Sequence, residues 1–419
     1  MYKQKELKSG LKLVTVPMTG TKTVTVLVMI KTGSKNENKK NNGISHFIEH
    51  MLFKGTDKRP NTLIIASELD RIGAEFNAFT GKECTGFWVK ADSAKVGIAL
   101  DMLNDILLHS KIDSKEIDRE RGTIIEEMNM YEDNPMMQID HIFEQCLYGN
   151  TPAGWDTIGT KKNILEIKRA DMLNYLKTQY SADKIVVCLA GNINKKVEDL
   201  VSKYFKFKKL NFIDKVLTKE KQAAPKINLS YKKTDQATIS LGVRTIPRED
   251  KDEVVLKFLS ILLGGSMSSR LFTEVRERQG LAYYIRANAE FYDDTGYLTA
   301  QAGVPINKIE QAIITILKEY KKLSKTLVSE EELKRNKDLI RGRSILQLEA
   351  SDNVANWYSK QALFRKSITS PEEYFKKIDK VTAKDIQRVA KEIFNNKGLN
   401  LAIIGPFKDK KKFAKILKF

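Results

Sequence analysis

Histidine is scarce in this 419-residue chain, with four in all, at positions 46, 50, 109 and 141. Cysteine is scarcer still. Cys84, Cys146 and Cys188 are too few and too scattered for a disulfide framework or a cysteine-zinc site, so each reads as a small buried hydrophobe. No apolar run approaches the length that crosses a bilayer, and no membrane partner is expected. The opening residues, Met1-Tyr2-Lys3-Gln4-Lys5-Glu6-Leu7-Lys8, hold no apolar stretch or small-residue cleavage site, which makes cytoplasmic residence the expectation. Gly264-Gly265 is not followed by Gly-Lys-Ser/Thr, so a phosphate-cradling loop is excluded.

Nor does the charge point to a nucleic acid. The formal charge is +19, but the lysines are spread along the whole chain, as in Lys206-Phe207-Lys208-Lys209 and Lys410-Lys411-Lys412. No RNA-binding signature and no alternation of aromatic with basic residues accompanies them. A solvated, lysine-rich exterior accounts for the composition, and no nucleic-acid partner is expected.

The content that remains is that of a globular protein, 42% hydrophobic and 30% charged, long enough for two to four domains. Two of the four histidines fall together in Gly43-Ile44-Ser45-His46-Phe47-Ile48-Glu49-His50-Met51. On a helix, positions i and i+4 share a face, so His46 and His50 can offer two imidazole nitrogens to one ion, with Glu49 beside them. This is the H-x-x-E-H arrangement. A lone histidine on such a helix is usually a packed or solvated residue. The five-residue pattern arises by chance in roughly two or three chains per thousand of this length.

The order of elements repeats. Strands are expected at 11–16 and 23–30, helices at 94–108, 114–130 and 171–180, and a buried strand at 185–190. Asp171 through Gly191 parallels Asp385 through Gly405 at a constant offset of 214, and Thr25–Leu27 maps onto Ile239–Leu241. Two similar halves follow, a domain at 1–211 and another at 227–419, joined by a linker at about 212–226. Each mixes strand pairs with long helices, which predicts an α+β fold, a mostly antiparallel sheet packed against helices. At the same offset His50 falls on Gly264 and Glu127 on Arg341. The second half therefore lacks the candidate ligands, and binding or covering is expected of it.

A catalytic zinc site needs a third protein ligand and an open position. The helix Glu116 to Glu127 offers Glu120 and Glu127 on one face and Glu126 about a third of a turn away. Helical glutamates are ordinarily solvated, and spacing alone does not choose among them.

The run His46-Phe47-Ile48-Glu49-His50-Met51-Leu52-Phe53-Lys54-Gly55-Thr56 resembles the active-site helix of the pitrilysin/insulinase zinc peptidases, in particular the group of mitochondrial processing peptidase and its bacterial relatives. The resemblance implies that Zn²⁺ is held by His46, His50 and Glu127, with Glu120 a supporting carboxylate behind the ligands and Glu126 the alternative ligand. It makes Glu49 the group that moves the proton. It implies that Asn77, Ala78 and Phe79 form the edge strand to which a peptide backbone adds. Arg276 and Tyr283, seven apart, match the residues that steady the substrate and its tetrahedral intermediate. The implied activity is a zinc-dependent endopeptidase acting on unfolded peptides or presequence-like segments within an enclosed chamber. A homodimer, or a heterodimer with a related chain, would build that chamber. The alternative is a non-catalytic partner or scaffold subunit.

Overall fold

The computed structural model describes residues 2–218 and 222–419; residues 219–221, inside the expected linker, lie outside the described residues. In the first half the elements are β1 (Lys3–Glu6), β2 (Lys12–Pro17), β3 (Thr23–Ile30), α1 (Ile44–Leu52), α2 (Thr62–Asp70), β4 (Glu75–Thr80), β5 (Thr85–Asp92), α3 (Val96–His109), α4 (Ser114–Asp133), α5 (Pro135–Tyr148), α6 (Lys161–Glu166), α7 (Arg169–Gln179), β6 (Ile185–Gly191) and α8 (Lys195–Tyr204). The second half holds β7 (Lys226–Tyr231), β8 (Gln236–Thr245), α9 (Glu253–Gly264), β9 (Tyr284–Phe291), β10 (Gly296–Pro305), α10 (Ile309–Lys325), α11 (Glu330–Gln347), α12 (Ser351–Phe364), α13 (Pro371–Asp379), α14 (Ala383–Ile393), β11 (Leu399–Gly405) and α15 (Lys410–Ala414).

The duplication is explicit in these bounds. The starts of β2 and β7, of α7 and α14, and of β6 and β11 are each 214 residues apart. One sheet runs β1-β2-β6-β3-β5-β4 and the other β7-β11-β8-β10-β9, the same order without the added β1. Each sheet has one parallel pair, β2 with β6 and β7 with β11, and is otherwise antiparallel. The fold is α+β. Every residue of β6 and of β11 is buried, as an unbroken apolar strand covered on both faces requires.

The compact units are not the contiguous halves drawn from the repeat. One comprises Met1–Met128, Asp156–Val216 and Ser344–Thr369; the other Asn129–Trp155, Leu217–Arg343 and Ser370–Phe419. Each half of the sequence thus gives up one helix, and the two helices occupy corresponding places in the repeat. In the first unit α12 lies on β2, β6 and β3, where Val354, Ala355 and Tyr358 join Leu27, Met29 and Cys188 in one apolar cluster. Strand alternation turns Val26 and Val28 to the opposite face, and both are fully buried there. In the second unit α5 lies on β11, β8 and β7, burying Ile139, Phe143 and Leu147 with Ala402 and Ile404. The other face of that sheet carries Leu241, Val243 and Leu401 against residues of α9, α10 and α14.

Candidate metal centre

The first unit holds a site built on α1. The helix opens at Gly43, whose φ of 100° lies in the left-handed region, and a Cβ there would come within 2.7 Å of the Ile158 carbonyl oxygen. Glu37 caps it from six residues upstream. Its two oxygens accept from the Gly43 and Ser45 amides at 2.8 and 2.9 Å and from the Asn42 side chain at 2.9 Å. Ile44, Phe47, Ile48 and Met51 are buried and anchor the helix, which leaves His46, Glu49 and His50 on the remaining face.

Three ligand atoms converge on that face. The Nε2 atoms of His46 and His50 are 3.2 Å apart, and Glu127 Oε2, from α4, is 3.6 Å from the first and 3.4 Å from the second. A tetrahedral zinc ion with bonds of about 2.0–2.1 Å sets its ligand atoms about 3.3–3.4 Å apart. The triangle therefore fits the ion's dimensions. Among the described residues, this is the group of His, Cys, Asp and Glu side chains close enough to hold one. Glu126, the alternative, is exposed on α4 and contributes nothing to the cluster.

The supporting contacts fit the same donor set. His50 Nδ1 donates to Glu120 Oε1 at 2.8 Å, which leaves Nε2 to present its lone pair. Glu120 Oε2 meets Lys54 Nζ at 2.5 Å, and Glu120 is 4% exposed. Burial alone would raise the Glu120 carboxyl; the bonds from His50 and Lys54 outweigh it and hold it below the usual carboxylate range. The two imidazoles are driven apart. Burial and the neighbouring His50 push His46 down to about 4. For His50 burial acts downward too, but the bonds to Glu120 and Glu127 prevail and raise it to about 9. His50 lies between the carboxylates of Glu120 and Glu127, a setting that favours positive charge. His46 Nδ1 is buried with no hydrogen-bond partner among the described residues, whereas His50 is oriented from behind by Glu120.

Glu49 points to the cleft beside this group. Its carboxyl is raised by burial, against the bond that Thr80 Oγ1 donates to Oε2. The cleft is lined by Glu49, His50, Phe53 and Lys54 on one side and by Phe76, Asn77 and Ala78 of strand β4 on the other, with Glu120 of α4 also at its wall. β4 is the terminal strand of its sheet, paired only with β5. The Ala78 amide of this strand donates to the Asn77 side-chain oxygen at 2.8 Å. Phe79 points the other way, with its ring across Gly86 and against the apolar cluster under α12, so its side chain takes no part in lining the cleft.

Arg276 and Tyr283 belong to the second unit. Arg276 sits on the widened helical segment Phe272–Arg278, its guanidinium 4.7 Å from the Phe272 ring centroid and 5.4 Å from that of Tyr283. Tyr283 is 77% exposed, a large apolar ring left in solvent. The two residues form a local pair. Among the described residues the second unit has no counterpart of the metal group, for a steric reason as well as a chemical one. A Cβ at Gly264 would lie 2.3 Å from the Ala287 amide nitrogen of β9, so that position admits no side chain.

Three residues of the site have no role that the motifs state: Glu37, Thr80 and Lys54, the last lying within the run around His46 and His50. Glu37 lies in a polar loop well before the helix it caps, and Lys54 and Thr80 act through carboxylates rather than on an ion.

Comparison with known proteins identifies the family. Residues 12–161 match the family described as Insulinase (Peptidase family M16), and residues 166–340 match the Peptidase M16 inactive domain. The chain is 32% identical to the uncharacterized zinc protease YmxG of Bacillus subtilis (strain 168), over 97% of this chain and 98% of that one. It is 33% identical to an uncharacterized zinc protease of Rickettsia felis, over 96% and 97%. A solved protease from Helicobacter pylori superposes with a TM-score of 0.91 at 25% identity, over 96% of this chain and 99% of that one. A Pseudomonas fluorescens structure described as a peptidase M16 inactive domain shares the fold, with a TM-score of 0.89 at 17% identity over 97% and 98%. The chain belongs to the insulinase-type peptidase family M16.

Proposed function

We propose that the protein is a zinc-dependent endopeptidase that hydrolyses unfolded peptides or presequence-like segments. The observation that carries this reading is the 3.2–3.6 Å triangle of His46, His50 and Glu127 beside a cleft whose other wall is an unpaired strand edge. When bound, a zinc ion held by those three residues supplies Lewis acidity and lowers the pKa of water at its open position to roughly 7.

The chain's own groups do the rest. Glu49, one residue from the ligand His50 and facing the cleft, takes a proton from the attacking water and passes it to the leaving amine. β4 receives the substrate as an added extended strand, through the backbone of Asn77 to Phe79. Glu120 fixes the tautomer of His50, and Lys54 fixes Glu120. Arg276 and Tyr283 steady the developing oxyanion, the role the family pattern gives a cation and a hydroxyl seven residues apart. Two copies of the chain, or this chain and a related one, would enclose the substrate, and the cytoplasm is the compartment proposed.

A second reading, a non-catalytic partner or scaffold subunit, draws on the match of residues 166–340 to an inactive domain. The test is one preparation. The purified chain is assayed for zinc content, for mass in solution and for cleavage of a quenched, unstructured peptide, with and without chelator, beside Glu49→Gln. The endopeptidase reading expects chelator-sensitive cleavage by the native chain and a Glu49→Gln variant that keeps its zinc and loses turnover. Cleavage by Glu49→Gln at the native rate would refute the role of Glu49, and a zinc-free, inactive native chain would favour the scaffold.

A further inference from the structure

Thr80 lies outside every motif that points to the metal centre, yet its hydroxyl is the side-chain group bonded to Glu49. A hydroxyl has one proton to give, and here it goes to Glu49 Oε2. We infer that Thr80 is a positioning residue, which aims the Glu49 carboxylate from the strand that receives the substrate. The inference rests on reading Glu49 as the proton-transfer group and β4 as the docking edge.

The strand geometry supports it. Along β4 alternate side chains share a face, so Phe76, Ala78 and Thr80 point together. Phe76 and Ala78 line the cleft, and Thr80 ends the same row at Glu49. The end of the strand that carries Thr80 is the fixed end. Thr80 pairs with Thr85, whose hydroxyl donates to the Thr32 carbonyl at 2.8 Å, and the Gly81 amide closes the turn onto Cys84 at 2.8 Å. A β-branched side chain has few χ1 rotamers, so a fixed backbone here fixes the direction of the hydroxyl. Glu49 has three rotatable bonds on its helix, and its carboxylate meets the Thr80 hydroxyl from the strand. Thr80 thus supplies what an isolated carboxylate lacks, a single orientation set by the strand on which the peptide bond is to be presented.

The experiment is a double-mutant cycle in the full chain, with Thr80→Val, Thr80→Ser, Glu49→Gln and Thr80→Val/Glu49→Gln. It reads kcat and KM on an unstructured peptide, zinc content and melting temperature. Thr80→Val keeps the shape and loses the donor. The expected result is a kcat lowered roughly 10–100-fold, the range of a lost charge-assisted bond, with KM, zinc content and melting temperature unchanged. Thr80→Ser should recover most of the rate. In the Glu49→Gln background the Val substitution should cost no further factor, because the group it aims is already gone. Native turnover by Thr80→Val overturns the inference. So does an equal further loss in the Glu49→Gln background, or a rate that serine fails to restore. Native activity in Glu49→Gln alone instead removes the reading of Glu49 on which the inference stands, and the cycle reports that arm separately.

Discussion

Glu120→Gln is the substitution whose effect on the metal centre follows most directly from the contacts. The side chain is buried, accepts from His50 Nδ1 at 2.8 Å and is bonded to Lys54 at 2.5 Å. Glutamine keeps the shape and an oxygen for the His50 N–H but removes the charge. A hydrogen bond to a charged group contributes about 1.5–3 kcal/mol and a neutral one about 0.5–1.5 kcal/mol. The substitution therefore weakens the hold on His50 by about 1–1.5 kcal/mol, or about tenfold in zinc affinity, within the range usual for residues that orient a metal-binding histidine. The Lys54 ammonium, left without its carboxylate, acts in the same direction.

Protons oppose this at low pH. Burial pulls His50 down, but Glu120 and Glu127 together lift it to about 9, so below that pH a proton competes with the ion for Nε2. Removing the Glu120 charge weakens that competitor too. The loss of zinc affinity should therefore be partly masked at pH 7 and grow toward its full size as the pH approaches 9. Competition against a chromophoric chelator at both pH values measures it, with the melting temperature of the metal-free protein as a control for folding. Equal or tighter zinc binding by Glu120→Gln at pH 9, with an unchanged melt, would show that the Glu120 charge does not hold His50 for the ion.

Two further expectations concern stability. Burial raises the Glu37 carboxyl to about 7 despite its three N–H donors. The folded chain therefore holds a proton that the unfolded chain, with a value of 4.5, has released. Stability from this group is fully present below about pH 4.5 and lost as the pH rises through about 7, a fall on the order of 3 kcal/mol. Glu37→Gln should flatten the melting temperature between pH 5 and 8, and a slope equal to that of the native chain would contradict the assignment. Gly264→Ala forces a methyl to within 2.3 Å of the Ala287 amide nitrogen, and should cost roughly 1–3 kcal/mol or more by denaturant unfolding. An unperturbed midpoint would show that α9 and β9 yield more easily than their packing suggests.

Much of the architecture was legible because the chain states it twice. The constant 214-residue offset exposes the duplication wherever buried strands such as Ile185–Gly191 and Leu399–Gly405 fix the register. The exchange of α5 and α12 was not legible. Ile139, Phe143 and Leu147 recur every fourth residue and announce a buried face, but periodicity does not say which sheet covers it. At the site, the scarcity of histidine made His46 and His50 conspicuous. Glu127 was not, because helical glutamates at this spacing are ordinary on a solvated surface and resemblance alone singled it out. Glu37 and Thr80 escaped for a physical reason. Each reaches its partner through the folded backbone, six residues away along a loop in one case and across a strand-helix gap in the other, and no local spacing records such a contact.

One ion bound by three side chains is the centre of the proposed activity. A crystal of the chain grown with one equivalent of zinc, with anomalous differences collected at the zinc edge, tests it without reference to activity. The expected map has one strong peak about 2.0–2.1 Å from His46 Nε2, His50 Nε2 and a Glu127 oxygen. A fully loaded chain whose peak lies elsewhere, or on Glu126 in place of Glu127, would contradict it.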